Sequence, residues 1–430
     1  MSALGRGALA ALLVALAALP LHAQSDGAGG PGASGGPGLA LRAAKVLTAA
    51  WQGDQAVDTA VVLVKDGRIE AVGPARTTPI PVGYVVEDVG SRWLMPGMID
   101  LHSHIGGTFD INDMVYVTNP GLKVHGAVIP NNRAFQRALA AGVTAVLFIP
   151  GSGTNSGGQG VLLKTGLETY DESLIRDPGS LKVAQWGNPE RWAIGVGKAF
   201  ENWHIRDMFR RGLAYARAVK AWREGKGPKP ERALEFDVFP HLLDKKTQVS
   251  VHTQIYQVVL TTLTMLRKEF GVDVYIDHGE WKGYLAAPMA EEIGVPAIIG
   301  PREIDWRLPF WNIDTDGQVQ GIAAEYQKRG HTMIGFNTDA PVVPAEELSL
   351  QAGVAVRFGF DTSNMDAVRG LTIVPARTAG IDDRLGSLER GKDADILVVT
   401  GDPADPRSSV EVVFINGKRV YDTAVDRRRW

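Results

Sequence analysis

The chain has 430 residues, with 45 Lys+Arg against 48 Asp+Glu, nine His and no Cys. The net charge of −3 comes from well-mixed signs, which excludes the basic footprint of a nucleic-acid binder or a polybasic membrane patch. The missing thiols exclude disulfides, iron–sulfur clusters, Cys-ligated zinc and cysteine nucleophiles, so any metal must rest on His, carboxylate or Lys-derived ligands.

In chain order, Arg6, the apolar run Ala8–Leu19 and the following Pro20-Leu21-His22-Ala23 predict a signal peptide over 1–23. The run is too short to span a bilayer, so the expectation is an exported protein, periplasmic or secreted, with no stable membrane insertion. Residues 24–40 are rich in Gly and Pro and read as a flexible linker. Thr59–Lys65 and Arg68–Val72 then flank Asp66-Gly67, a two-residue hairpin signal. Val410–Ile415 and Lys418–Tyr421 flank Asn416-Gly417, the same signal at the other end. The pattern suggests one small β domain built from residues 41–95 and 385–430, with two separate edge hairpins as the alternative.

Between these ends, short apolar runs recur at Met98–Leu101, Ala145–Ile149, Val161–Leu163, Leu181–Ala184, Val249–Val251, Val274–Ile276, Ala297–Ile299 and Met333–Phe336. Helical patterns fill many of the intervals, such as Asn132–Ala141, Arg206–Glu224 and Val258–Phe270. Alternation of this kind over 96–384 fits an α/β fold, a (β/α)8 barrel with insertions, though periodicity alone also allows a doubly wound sheet. Gly151–Gly160 lacks the ending of a phosphate loop and reads as a mobile loop over the barrel mouth.

The strand ends carry the chemistry. His102 and His104 sit two apart on a strand, so both imidazoles face one side, where one cation reaches both. Further apolar runs lead into His252, His278 and Asp339, and polar residues just past buried strands are where barrel active sites are assembled. His125, His204, His241 and His331 lack a partner at ligand spacing. His204 and Tyr256 are candidate pocket residues, and Arg302 is a candidate clamp for a substrate carboxylate.

Val64–Gly73 (VKDGRIEAVG), Pro96–His104 (PGMIDLHSH), His252, His278-Gly279, Thr338–Pro341 (TDAP) and Pro375–Thr400 together resemble the amidohydrolase superfamily, in its imidazolonepropionase-like and prolidase-like branch. The resemblance implies a metal-binding barrel with a β-sandwich formed by the terminal segments. It makes His102 and His104 ligands of one divalent ion, Zn by preference, and His252 and His278 ligands of a second. Asp339 would touch metal and shuttle protons. A carboxylated lysine bridging two ions falls to Lys182, with Lys164 as its rival.

Such a site implies hydrolysis of an amide-type C–N bond in a short peptide, N-acyl amino acid or cyclic amide by metal-bound hydroxide. Imidazolonepropionases place a Glu shortly after the strand-five histidine. This chain reads His252-Thr253-Gln254-Ile255-Tyr256, and Gly187 stands where that group carries another Glu before Asn188-Pro189. Amide or peptide hydrolysis is therefore the expectation. A mononuclear cyclic-amide hydrolase or deacetylase is one alternative, and a catalytically inactive metal-binding barrel acting as a binding protein is the other. A homo-oligomer is compatible with the sequence.

Overall fold

Eight short strands arranged side by side form the centre of the computed structural model, which describes residues 36–114, 116–185, 197–301, 303–305 and 320–427. The expected segment 1–23, residues 24–35 of the linker, Gly187 and Arg302 lie outside these described residues.

The chain enters through β1 (Leu39–Leu47), β2 (Ala56–Lys65), β3 (Arg68–Pro74), β4 (Val85–Asp88) and β5 (Trp93–Pro96). The barrel follows as β6 (Met98–Ser103), β7 (Val143–Phe148), β8 (Gly158–Lys164), β9 (Leu174–Ala184), β10 (Gln248–Thr253), β11 (Val274–His278) and β12 (Ala297–Ile299). A small pair, β13 (Ile304–Asp305) and β14 (Gln320–Gly321), precedes the last barrel strand β15 (Ile334–Phe336). The chain then ends in β16 (Ile396–Val399), β17 (Val410–Ile415) and β18 (Lys418–Asp422).

Both chain ends contribute to one eight-stranded sheet, because β16 pairs antiparallel with β5 from Ile396 opposite Pro96 to Val399 opposite Trp93. The two hairpin turns have the left-handed backbone that their sequences favour: Asp66 and Gly67 lie at φ 49° and 78°, Asn416 and Gly417 at 50° and 70°. Ala394 ties the turns together, donating its N–H to Gly67 O and accepting from Gly417 N, both at 2.9 Å. Leu41, Val62, Ile69, Leu94, Ile396 and Phe414 pack as a core that draws on both ends of the chain.

The barrel order is β15-β12-β11-β10-β9-β8-β7-β6. A parallel bridge between Ser103 and Ala340, with His104 N donating to Ala340 O at 2.8 Å, joins the two edges. One strand departs from the all-parallel expectation: β8 runs antiparallel to both β7 and β9. The connections on either side, 149–157 and 165–173, are shorter than the dozen or so residues that a parallel crossover takes, so the chain folds back as hairpins.

The Gly-rich run Gly151–Gly160, expected as a mobile loop over the barrel mouth, lies at that end but is buried throughout and leads into β8. Asn155 Nδ2 donates to Ala184 O at 2.9 Å, and Ser156 Oγ donates to Lys182 O at 3.1 Å. Gly158 has φ 114°, and a Cβ there would lie 2.5 Å from Leu122 O, so close packing requires the missing side chain.

Outside the strands, Asn132 caps the helix Arg133–Ala140 by accepting from the N–H groups of Ala134 and Phe135, a contact worth about 1 kcal/mol. The helix Lys198–Arg223 buries Ile205, Phe209, Leu213 and Ala216 at helical spacing. Among the described residues, no helix is long and apolar enough to cross a membrane.

Candidate metal centre

Five side chains from four strand ends converge at one end of the barrel. His102 lies on β6, His104 just beyond it, His252 near the end of β10, His278 at the end of β11 and Asp339 shortly after β15. The structure brings all five together with Lys182 of β9. His102 Nε2 is 3.2 Å from His104 Nε2 and 3.1 Å from Asp339 Oδ1, which is 3.3 Å from His104 Nε2. His278 Nε2 stands 3.0 Å from His252 Nδ1 and 4.0 Å from Asp339 Oδ2. Lys182 Nζ is 3.4 Å from His102 Nε2.

Lys164, the rival bridging candidate, is at the other end of the barrel. Because β8 is reversed, Lys164 pairs with Ala145 near the start of β7, whereas Gly158 pairs with Lys182. Its ammonium lies 2.9 Å from both Asp393 Oδ2 and Asp395 Oδ2 and donates to Asn416, fastening the barrel to the terminal sheet.

The ring tautomers follow from their partners. A carbonyl only accepts, so His104 Nδ1 donates to Ile149 O at 2.9 Å and His278 Nδ1 donates to Gly300 O at 2.7 Å. His102 Nδ1 donates to Asp277 Oδ2 at 2.7 Å. The Nε2 lone pairs of His104 and His278 therefore face the Asp339 carboxylate together with His102 Nε2, with Lys182 Nζ beside them. His252 Nε2 is buried without a partner. Acceptors do not gather in this way around nothing; the arrangement fits a cation held by imidazole and carboxylate ligands. His102, Asp277 and His278 form one group of donor atoms within 4.8 Å of each other, and His102, His104 and Asp339 form another.

The electrostatics agree. Burial, then the Lys182 charge, pushes His252 down to about 3, and burial also holds His104 and His278 below the ordinary imidazole value. These rings are neutral at pH 7. Burial opposes ionisation of Asp339, but its histidine neighbours outweigh it and hold the carboxyl well below its usual range. Burial likewise works against a charged His102, yet the Asp277 carboxylate leads the interactions that raise it to about 9. Burial lowers Lys182.

Asp277 was not among the residues singled out from the sequence, although it immediately precedes His278. Strand alternation places neighbours on opposite faces, but His278 has φ 83°, which ends the alternation and turns its ring to the same site. Asp339 is also left-handed, at φ 49°. Asp100 is a second missed residue: it accepts from His102 N at 3.0 Å and from Thr338 Oγ1 at 2.5 Å, linking β6 to the Asp339 segment. Glu303 is a third. It is buried, neither carboxylate oxygen has a partner among the described residues, and burial followed by the nearby Glu280 charge raises its pKa well above the ordinary value.

The remaining candidates lie apart from this cluster. His204 packs edge-on against Phe200 and Trp203 and lines a cavity of about 800 Å³ with Tyr116, Asp207 and Phe236. None of the metal-centre residues lines that cavity. Tyr256 opens the helix Tyr256–Thr261 and is half-buried.

Residues 319–420 match the amidohydrolase family. An amidohydrolase of Hapsidospora irregularis, tasK, is 26% identical over 87% of this chain, which spans only 40% of that protein's length. An imidazolonepropionase of Sphingopyxis alaskensis is 25% identical over 84% of this chain and 92% of its own. The crystal structure of an amidohydrolase from Thermotoga maritima superposes with a TM-score of 0.77 at 29% identity, covering 89% of this chain and all of that one.

Proposed function

The chain belongs to the amidohydrolase superfamily, and from that premise we propose that it is a metal-dependent hydrolase of amide-type C–N bonds in short peptides, N-acyl amino acids or cyclic amides. The observation that carries the reading is the convergence of three imidazole Nε2 atoms on the Asp339 carboxylate at the mouth end of the barrel. His102, His104, His252, His278 and Asp339 would hold one or two divalent ions, zinc by preference for this nitrogen–oxygen set. A bound divalent ion supplies Lewis-acid activation of water and of the substrate carbonyl.

The protein's own groups do the rest. Asp339, ionised and partly open to the mouth, accepts a proton from the attacking water and returns it to the leaving amine. Asp277 holds the His102 ring in one tautomer, and the carbonyls of Ile149 and Gly300 do the same for His104 and His278. Burial lowers the Lys182 pKa, which favours the amine form that reaction with carbon dioxide requires. In that reaction the amine nitrogen would bond the carbon, one C–O π bond would open and an N–H proton would leave, giving an anionic carbamate that would serve as a metal ligand. Gln254 in place of an acidic residue after His252 favours amide or peptide cleavage over ring deamination. The same reading includes export after cleavage near residue 23 and a sandwich-type domain made by 41–95 and 385–430.

The test is a screen of dipeptides, N-acyl amino acids and cyclic amides with metal-loaded full chain. Turnover of at least one class is expected, lost on chelation, restored by metal and reduced about 100-fold or more in Asp339→Asn. A chain that takes up no metal, or one whose activity is unchanged in Asp339→Asn, overturns the reading.

A further inference from the structure

The opposite end of the barrel carries a second concentration of charge, of the other sign. Gln248 begins β10, Asp273 and Pro296 immediately precede β11 and the approach to β12, and Gly380 closes the helix Ile373–Ala379. Together they border a pocket of about 410 Å³. Among the described residues, five cationic side chains line it, Arg176, Lys245, Lys246, Arg267 and Arg377, against the single carboxylate of Asp273. The whole chain is mildly acidic, so this local excess runs against the overall charge.

Asp273 is shared by Lys245 and Arg267, at 2.8 and 2.6 Å. Arg377 reaches Asp382 only at 3.5 Å. Lys246 and Arg176 pair with no carboxylate among the described residues. Lys246 is exposed at the rim. Arg176 lies deeper, donating to Ala379 O, Gly179 O and Gln248 Oε1 at 2.7, 2.9 and 2.6 Å, and its Nε has no partner among the described residues.

Gln248 supplies an independent sign. It is only 4% exposed, and its Oε1 is committed to Arg176, so its amide NH₂ is turned elsewhere and has no acceptor among the described residues. The unpaired polar atoms beside the pocket are therefore donors, Arg176 Nε and Gln248 Nε2, beneath a rim of further cations. A half-buried guanidinium without a counter-charge and a buried amide without an acceptor, among the described residues, call for the same missing partner, an anion. The excess of positive charge exceeds what one carboxylate balances, and the pocket has room for more than a single phosphate group.

We propose that this pocket is a binding site for a phosphate group, free or as a small phosphate monoester, remote from the metal centre. Arg176 and Gln248 form its floor, and Lys246 and Arg377 attract the anion at the rim. The test uses the full metal-loaded chain, titrated calorimetrically with inorganic phosphate and separately with glycerol 3-phosphate at 0.15 M ionic strength. Saturable binding tighter than about 1 mM is expected, weakened about ten-fold or more in Lys246→Glu and in Lys246→Glu/Arg377→Glu. Lys246 makes no side-chain ion pair among the described residues, and these variants should keep metal content and hydrolytic activity. Asp339→Asn should bind phosphate as the parent does. Tighter binding of the ester points to a phosphorylated metabolite, and equal binding to the free ion; both support the site. Absence of saturable binding overturns it, as does binding that survives Lys246→Glu/Arg377→Glu but is lost in Asp339→Asn.

Discussion

His102 donates its Nδ1–H to Oδ2 of Asp277 across 2.7 Å, and both side chains are fully buried. The contact fixes which nitrogen of His102 faces His104 and Asp339, and Asn337 Nδ2 steadies the other Asp277 oxygen at 3.4 Å. Asp277→Ala removes the acceptor and frees the ring, so divalent metal affinity should fall about 10–100-fold. Asp277→Asn keeps a carbonyl oxygen and should recover part of the loss. Competition with a chromogenic chelator measures both, and parent-like affinity in Asp277→Ala would remove the orienting role.

The two lysines should separate cleanly. Lys182 is buried among the candidate ligands, so Lys182→Ala should reduce bound metal, with partial recovery on adding a small carboxylic acid that fits the space left behind. Lys164 instead neutralises Asp393 and Asp395 under the barrel. Lys164→Met leaves buried carboxylates short of a partner and should cost about 3 kcal/mol in urea unfolding, with metal content unchanged. Metal analysis and unfolding curves on the two variants give opposite patterns; the reverse assignment would contradict the direction of β8.

Asp393 gives that base cluster a pH signature. Burial raises its pKa, but Lys164 and Arg384 outweigh burial and leave the folded value below the ordinary one. A carboxyl depressed in the folded state stabilises the protein fully above its unfolded pKa of about 3.9, and this contribution disappears as pH falls through the folded value. Stability of the parent should therefore decline below about pH 4. The decline should be shallower in Lys164→Met, where the depression is smaller. Parallel curves of unfolding free energy from pH 6 to pH 3 would refute the assignment.

Much of this architecture was legible because its signals are local. Each apolar run from Met98 to Phe336 overlaps a barrel strand, and Asp66-Gly67 and Asn416-Gly417 form the turns their φ preferences demand. Strand direction was not legible, since a period of two is the same read either way. The short connection 149–157 was the available clue to the reversal of β8, and the choice between Lys164 and Lys182 depended on it. Asp277 was hidden for a related reason: alternation assigns it to the face away from His278, and only the left-handed backbone at His278 brings both to one site. Glu303 had no local signal at all, because its isolation is a property of the surrounding packing.

That isolation has a measurable consequence. Glu303 is 4% exposed, neither oxygen has a partner among the described residues, and its folded pKa is raised well above the ordinary value by burial and then by Glu280. The folded chain thus keeps a proton that the unfolded chain releases above its own pKa of about 4.3. Stability contributed by this position is present below that pH and is lost as pH rises toward the folded value. Glu303→Gln has no proton to lose, so it should match the parent near pH 4 and become more stable than it as pH rises. A gain of about 1–3 kcal/mol is expected at pH 8, the cost of an unsatisfied buried group. Urea unfolding at pH 4.5, 6 and 8 tests this, and a difference that does not grow with pH would show that Glu303 has a partner at neutral pH.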